Sequence, residues 1–120
     1  MFEEQNFRNI SMAELKQNPT LADYQEYLKL LCAERGWDKN DPLEIFLLFS
    51  EEIGELAKAI RNKMKLYHEV GKITKADELE SEFADVFSYL LDLANQFDIN
   101  LEEAFRNKEK KNALRVWNYK

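Results

Sequence analysis

Apolar residues recur at helical spacing in four stretches of the chain, and the first stretch follows Thr20. Leu21, Tyr24, Leu28 and Leu31 fall three or four positions apart, as expected for one face of an α-helix. Gly36 stands where a helix commonly ends in the left-handed conformation. The pattern predicts a first helix that Thr20 opens and Gly36 ends.

The second stretch begins with the pair Asp41-Pro42. Asp41 suits an N-cap and Pro42 the first helical position, and Glu44 stands three residues on, as in a capping box. The periodic pattern then continues to at least Ile60. It is lost in the Lys-rich segment that follows, so we expect a frayed end and a loop between about 62 and 74.

Two further helices are expected in the second half of the chain. The third runs from about Lys75 to Phe97, and Asn100 with Glu103 caps a fourth that reaches about Trp117. No segment alternates between apolar and polar residues over a useful length. The chain therefore reads as an all-α, four-helix-bundle-like fold with helices two and three as a central antiparallel hairpin.

Residues 1–19 are the ambiguous part of the chain. Ser11 with Glu14 could cap one turn of helix through Leu15 before Pro19 stops it, and the segment is either a packed arm or a frayed tail. No linker or repeat interrupts the remainder. We therefore expect one helical domain over residues 20–120.

Composition and charge exclude several classes of protein. Seventeen Lys and Arg against 23 Asp and Glu give a net charge of −6, which disfavours binding to nucleic acid. No apolar run is long enough to span a membrane, and the N-terminus lacks the features of a signal peptide. Cys32 is the single cysteine, so it cannot form an internal disulfide. We expect a soluble, unexported protein of the cytoplasm with no membrane partner.

Acidic residues occur at positions that share a helix face with apolar residues. On helix two, Glu52 and Glu55 lie on the same stripe as Ile45, Leu48 and Ala59. On helix three, Glu82 and Asp85 share a stripe with Tyr89. If these faces pack in an antiparallel hairpin, the four carboxylates converge.

Such carboxylates would have to be protonated, paired with cations or neutralised by a metal. All-oxygen ligation suits Mg²⁺ or Mn²⁺. The alternative is that these acids only decorate solvated helix faces. A di-iron site is excluded because it needs two Glu-x-x-His units, and His68 is the single histidine.

The spacing of the acids resembles a known signature. EEIGE at 51–55 and EFAD at 82–85, with 26 residues between them, are similar to the EExxE…ExxD pattern of the MazG-like, all-α nucleoside triphosphate pyrophosphohydrolases. GWDK at 36–39 resembles a tryptophan-containing segment of MazG and the related dCTP pyrophosphatases. Lys108, Asn112 and Arg115 match a following KxxxNxxR pattern. The resemblance covers about residues 21–117.

The resemblance implies hydrolysis of a nucleoside triphosphate to the monophosphate and pyrophosphate, with Mg²⁺ as cofactor and Mn²⁺ as a possible substitute. It implies that Glu52, Glu55, Glu82 and Asp85 hold the metal. Glu51 or Glu52 would accept a proton from the attacking water, and the choice between them stays open. The resemblance also implies that Lys108, Asn112 and Arg115 lie near the phosphates. The alternative for Lys108 and Arg115 is that they are only basic residues near a helix C-terminus, where the helix dipole favours a positive charge.

Trp37 and Tyr89 are candidates for stacking on the nucleobase, with core packing as the competing account. Lys39, in the same segment as Trp37, is a further candidate for substrate binding. Asn62 stands where the dCTP-specific relatives carry a tryptophan, which argues against specificity for cytosine alone.

We expect a homodimer or homotetramer that removes unwanted nucleotides. The alternative is a helical interaction or regulatory module of the same fold without catalytic activity.

Overall fold

The structure is a computed structural model that describes residues 12–66, 70 and 78–118. These residues form four α-helices, and none of them lies in a strand. The helices are α1 (Leu21–Arg35), α2 (Pro42–Lys63), α3 (Glu78–Gln96) and α4 (Leu101–Ala113), with a 3-10 turn at Trp37–Lys39. The predicted all-helical class is confirmed. Much of the loop predicted between 62 and 74, and residues 75–77 of the third predicted helix, fall outside the described residues.

Three helices begin at the residues that the sequence predicts as caps. The side chains of Thr20, Asp41 and Asn100 each accept a hydrogen bond from the backbone N–H three residues on. At Thr20 the cap is reciprocal, because the Asp23 carboxylate accepts from the Thr20 N–H at 3.0 Å. Each bond satisfies a backbone donor that the first turn of a helix leaves unpaired.

Gly36 ends α1 as predicted. Its φ of 73° is left-handed, and its N–H donates to the carbonyls of Cys32 and Ala33. Other residues pay a steric penalty for this conformation, which explains why a glycine terminates the helix.

One helix end was predicted wrongly, and one possible helical turn does not form at the described residues. The fourth helix ends at Ala113 rather than near Trp117, because Leu114 and Arg115 donate to carbonyls three residues back and the last turn tightens. Glu14 and Leu15 are not helical, and Ser11 lies outside the described residues. One isolated turn is costly to nucleate, and here it would run into Asn18, whose φ is 53°, and Pro19.

The chain divides into two compact units. The first contains the described residues of Met1–Asp38 and Ala94–Lys120, and the second contains those of Lys39–Leu93. In the first unit α1 packs against α4. Its buried apolar residues come from the arm, from α1 and from the end of α3, and they are Ala13, Leu28, Leu31, Cys32 and Ala94. The burial of Ala13 favours a packed arm at that residue.

The second unit holds all of α2 and most of α3. Ile45 and Ala59 on α2 and Leu91 on α3 are its buried apolar residues. Ile45 and Ala59 are 14 positions apart, which is close to four helical turns, so they mark one inward stripe. Among the described helices, none has the length and apolar character that crossing a bilayer requires.

Candidate metal centre

Three carboxyl groups meet between two helices of the second unit. Glu52 comes from α2, while Glu82 and Asp85 come from α3. One oxygen atom from each side chain lies within 4.8 Å of those of the other two. Glu52 and Glu82 are half-buried and Asp85 is exposed, so the group has both a sheltered and an open side.

The heptad spacing of α2 explains why Glu52 faces inward. It stands seven residues after Ile45 and seven before Ala59, and both of those residues are buried. Seven residues are nearly two full turns, so all three lie on one stripe. A carboxyl group thus occupies a position where the helix pattern calls for an apolar side chain.

The environment of Glu52 disfavours its negative charge. Burial raises the pKa of Glu52, and the charges of Asp85 and Glu82 raise it further. A hydrogen bond with the Glu82 side chain acts in the same direction. The proximity of the three acids and the partial burial of Glu52 therefore disfavour its charged form unless a cation offsets it.

One oxygen of the cluster is left without a partner. Glu82 Oε2 is buried and has no hydrogen-bond partner among the described residues. Leaving a buried carboxylate oxygen unpaired is unfavourable, and such an atom calls for an ion or a water. An all-oxygen donor set of several carboxylates suits Mg²⁺ or Mn²⁺. The residues present fit a hard divalent cation.

Glu55 and Glu51 do not join this group. Both side chains are exposed, and the cluster of close oxygens contains neither. Glu55 lies about 60° around the helix from Glu52, at the edge of the inward stripe. The predicted quartet of carboxylates is thus observed as a trio.

Tyr89 lies one turn of α3 beyond Asp85, on the same side of the helix. Its side chain is half-buried, and desolvation raises the pKa of its phenol. The negative charges of Glu52, Asp85, Asp92 and Glu51 raise it further. The hydroxyl is therefore held in its neutral form, in which it can donate a hydrogen bond.

Sequence reasoning missed Asp92 as a contributor to this acidic environment. Glu82, Asp85, Tyr89 and Asp92 follow one another at intervals of three and four residues. That spacing places all four on one side of α3. This helical spacing is the sequence signal that could have identified Asp92 as part of the acidic environment.

Two further predicted site residues, Trp37 and Lys39, belong to different units. Trp37, in the first unit, is 50% exposed, so core packing does not account for it. The Arg35 guanidinium lies 4.8 Å from the centroid of its ring, which is a cation–π contact. Lys39, at the end of the 3-10 turn, is exposed.

The residues of the KxxxNxxR pattern lie at the C-terminal end of the first unit. Lys108 and Asn112 are on α4, and Arg115 follows its end. Asn112 Nδ2 donates to Glu109 Oε1 at 3.1 Å, while its Oδ1 is buried and has no partner among the described residues. Lys108 and Arg115 are exposed.

Comparison with known proteins identifies a family for most of the chain. Residues 41–117 match the family described as the MazG nucleotide pyrophosphohydrolase domain. The chain therefore belongs to the MazG family. The match includes the acidic cluster and the KxxxNxxR residues, whereas Trp37 and Lys39 precede it.

A similar bacterial protein extends the comparison. The chain is 29% identical over 102 residues to "Uncharacterized protein YvdC" of Bacillus subtilis (strain 168). The aligned region covers 76% of this chain and 91% of that protein.

Proposed function

We propose that this protein is a Mg²⁺-dependent nucleotide pyrophosphohydrolase, which converts a nucleoside or deoxynucleoside triphosphate to the monophosphate and pyrophosphate. The observation that carries the proposal is the meeting of Glu52, Glu82 and Asp85, with one buried oxygen of Glu82 left unpaired. Membership of the MazG family supports the same class of reaction.

The three clustered carboxylates would hold the cation, with Glu55 as the fourth ligand that the family signature implies. When bound, Mg²⁺ neutralises charge on phosphate oxygens and lowers the pKa of a water molecule. Glu51 or Glu52 would accept a proton from the water that hydrolyses the bond between the α- and β-phosphates. Glu51 is exposed and Glu52 half-buried, so Glu51 is more accessible to solvent and Glu52 is closer to the cluster.

The remaining candidates would bind the rest of the nucleotide. Lys108 and Arg115 would offset charge on the pyrophosphate, with Asn112 beside them in sequence as a donor to phosphate. Trp37 would stack on the base and Lys39 would add a positive charge near it. Tyr89 would contribute its aromatic face to the base or its neutral hydroxyl as a donor.

We also propose a homodimer or homotetramer of one-domain chains. In the second unit α2 exposes Leu43, Phe46 and Leu47, and α3 exposes Phe83. Large apolar side chains grouped on exposed helix faces are typical of protein interfaces. Light scattering after size-exclusion chromatography tests this, and a monomeric mass at micromolar concentration would refute it.

The experiment that tests the reaction is incubation with a panel of nucleoside triphosphates, including deoxynucleotides and oxidised or otherwise non-standard bases. With Mg²⁺ present, we expect monophosphate and pyrophosphate in equal amounts, with the highest rates on unwanted nucleotides. Chelation of the metal should abolish turnover. Release of inorganic phosphate and a diphosphate would contradict the proposed bond cleavage.

A matched pair of variants distinguishes the site from general effects of charge. Glu82→Gln removes a cluster acid, whereas Glu80→Gln removes an exposed acid from the same helix, about 200° around its axis. We expect the first to lose activity and the second to retain it.

The second candidate is a helical interaction module without activity. The exposed apolar side chains of α2 and α3 favour it as much as they favour an oligomer. A protein that turns over no triphosphate and shows no binding of Mg²⁺ would fit this candidate.

A further inference from the structure

The backbone carbonyl of Asn112 accepts a hydrogen bond from a side chain at the end of α4, in addition to bonds from the backbone. The N–H groups of Leu114 and Arg115 donate to it, the latter at 3.1 Å, and the indole Nε1–H of Trp117 also donates at 3.1 Å. The indole bond spans five residues and closes a small loop of chain over Leu114, Arg115 and Val116. A carbonyl that the helix end would leave without an intrahelical partner is thereby paired with backbone and side-chain donors.

The bond from Trp117 is not a consequence of burial. The Trp117 side chain is 58% exposed, and the neighbouring Leu114 and Val116 are exposed to 87% and 93%. These residues bury little apolar surface that could hold the segment in place. The indole hydrogen bond is therefore a substantial restraint on a stretch that would otherwise fray.

Arg115 lies within the closed loop. Its backbone is fixed at its own N–H and again two residues later through Trp117. An arginine whose backbone is ordered in advance loses less conformational entropy when its guanidinium binds phosphate. Sequence reasoning gave Trp117 no role, because its contact is made by a side-chain donor after the helix has ended.

We propose that Trp117 is a positioning residue for Arg115, and that it acts by holding the segment after α4 in a conformation ready to bind the phosphate chain of the substrate. This inference rests on the phosphate-binding role that the proposed function gives to Arg115. It assigns no contact between Trp117 and the nucleotide itself.

The test uses inorganic tripolyphosphate in excess Mg²⁺ as the probe, because it carries the phosphate chain without a base. Calorimetry compares the intact protein with Arg115→Gln, Trp117→Phe and the double variant. Trp117→Phe keeps an aromatic ring and removes the N–H donor. Loss of one net hydrogen bond predicts a rise of about five-fold in Kd for Trp117→Phe.

The double variant provides the decisive comparison. If Trp117 acts through Arg115, its substitution should add nothing once Arg115 is glutamine, so the double variant should match Arg115→Gln. Val116→Ala is the control, since it changes an exposed neighbour of Trp117 without removing a side-chain hydrogen-bond donor, and it should leave Kd unchanged. A purely structural role would instead lower Tm in Trp117→Phe without altering Kd.

Three results would overturn the inference: unchanged Kd in Trp117→Phe, a full additional loss in the double variant, or no binding of tripolyphosphate by the intact protein. Failure of the proposed function gives a different result. In that case the tripolyphosphate pattern holds, while no nucleoside triphosphate in the panel yields pyrophosphate.

Discussion

Gln25 and Asn95 exchange two hydrogen bonds in the first unit. Gln25 Nε2 donates to Asn95 Oδ1 at 3.1 Å, and Asn95 Nδ2 donates to the Gln25 carbonyl at 2.9 Å. The same Gln25 side chain donates to the Ile99 carbonyl at 2.7 Å and accepts from the Leu101 N–H at 3.0 Å. One buried amide thus joins α1 to the turn between α3 and α4.

Replacing Gln25 with alanine should destabilise the protein by about 3 kcal/mol, because Asn95, the Ile99 carbonyl and the Leu101 N–H would lose a partner in a buried region. Urea unfolding measures the loss. Gln17→Ala, at an exposed position in the arm, is the control and should change the free energy of unfolding by less than about 0.5 kcal/mol.

The two amides should also behave as a unit. The effects of Gln25→Ala and Asn95→Ala should be partly non-additive in the double variant, because each change alone removes the bond from Gln25 Nε2 to Asn95 Oδ1, while the bond from Asn95 to the Gln25 backbone carbonyl survives Gln25→Ala. Additive losses would show that the two side chains contribute independently.

Two glycines give stability changes of opposite sign. A methyl group added at Gly36 or Gly54 would meet no other group within 4 Å, so only backbone conformation decides the effect. Gly36→Ala should cost about 1 kcal/mol because its φ of 73° is left-handed. Gly54→Ala, inside α2, should gain about 0.5 to 1 kcal/mol. A stabilising Gly36→Ala would contradict the cap at the end of α1.

Glu52 and Asp23 should affect the pH dependence of stability in opposite ways. Burial raises the pKa of Glu52 in the folded protein, so folding takes up protons there and stability falls as the pH rises through that range. Glu52→Gln should therefore stabilise the metal-free protein near neutral pH, and this advantage should shrink on acidification. Thermal unfolding from about pH 7 to about pH 3 measures it.

Asp23 is the matched opposite case. The hydrogen bond from the Thr20 N–H, aided by Lys16, lowers the pKa of Asp23. Its contribution is present above the unfolded pKa and is lost as the pH falls through the lower, folded value. Asp23→Asn should be less stable than the natural chain near neutral pH, and the difference should disappear in acid. A difference that grows in acid would contradict the capping interaction.

Local signals predicted most of the helices. Thr20, Asp41 and Asn100 cap the helices that they were expected to cap, because an N-cap depends on residues within one turn of itself. The end of α4 was predicted four residues too late. The indole bond of Trp117 to Asn112 is set by a side chain beyond the helix, and helical periodicity carries no information about it.

The candidate site was predicted in its chemistry more fully than in its geometry. Helical spacing placed Glu52 on the buried stripe and Glu82 and Asp85 on one side of α3, and these three side chains meet. Helical spacing did not distinguish Glu55 from the three clustered acids, because a difference of only about 60° around a helix decides whether a long side chain turns inward. The orphaned oxygen of Glu82 depends on packing between two helices, which sequence spacing does not specify.

Binding of a divalent cation tests the central claim most directly. Calorimetry with Mg²⁺, and paramagnetic resonance with Mn²⁺, can be applied to the protein alone, without a substrate. Glu52→Gln, Glu82→Gln and Asp85→Asn should each weaken binding by at least about ten-fold. Loss of a residue that only supports a metal ligand already lowers metal affinity by about that factor, and loss of a ligand should cost no less. Glu80→Gln should bind as the natural chain does. Equal affinity in all four variants, or no binding in the natural chain, would contradict a metal centre at these carboxylates.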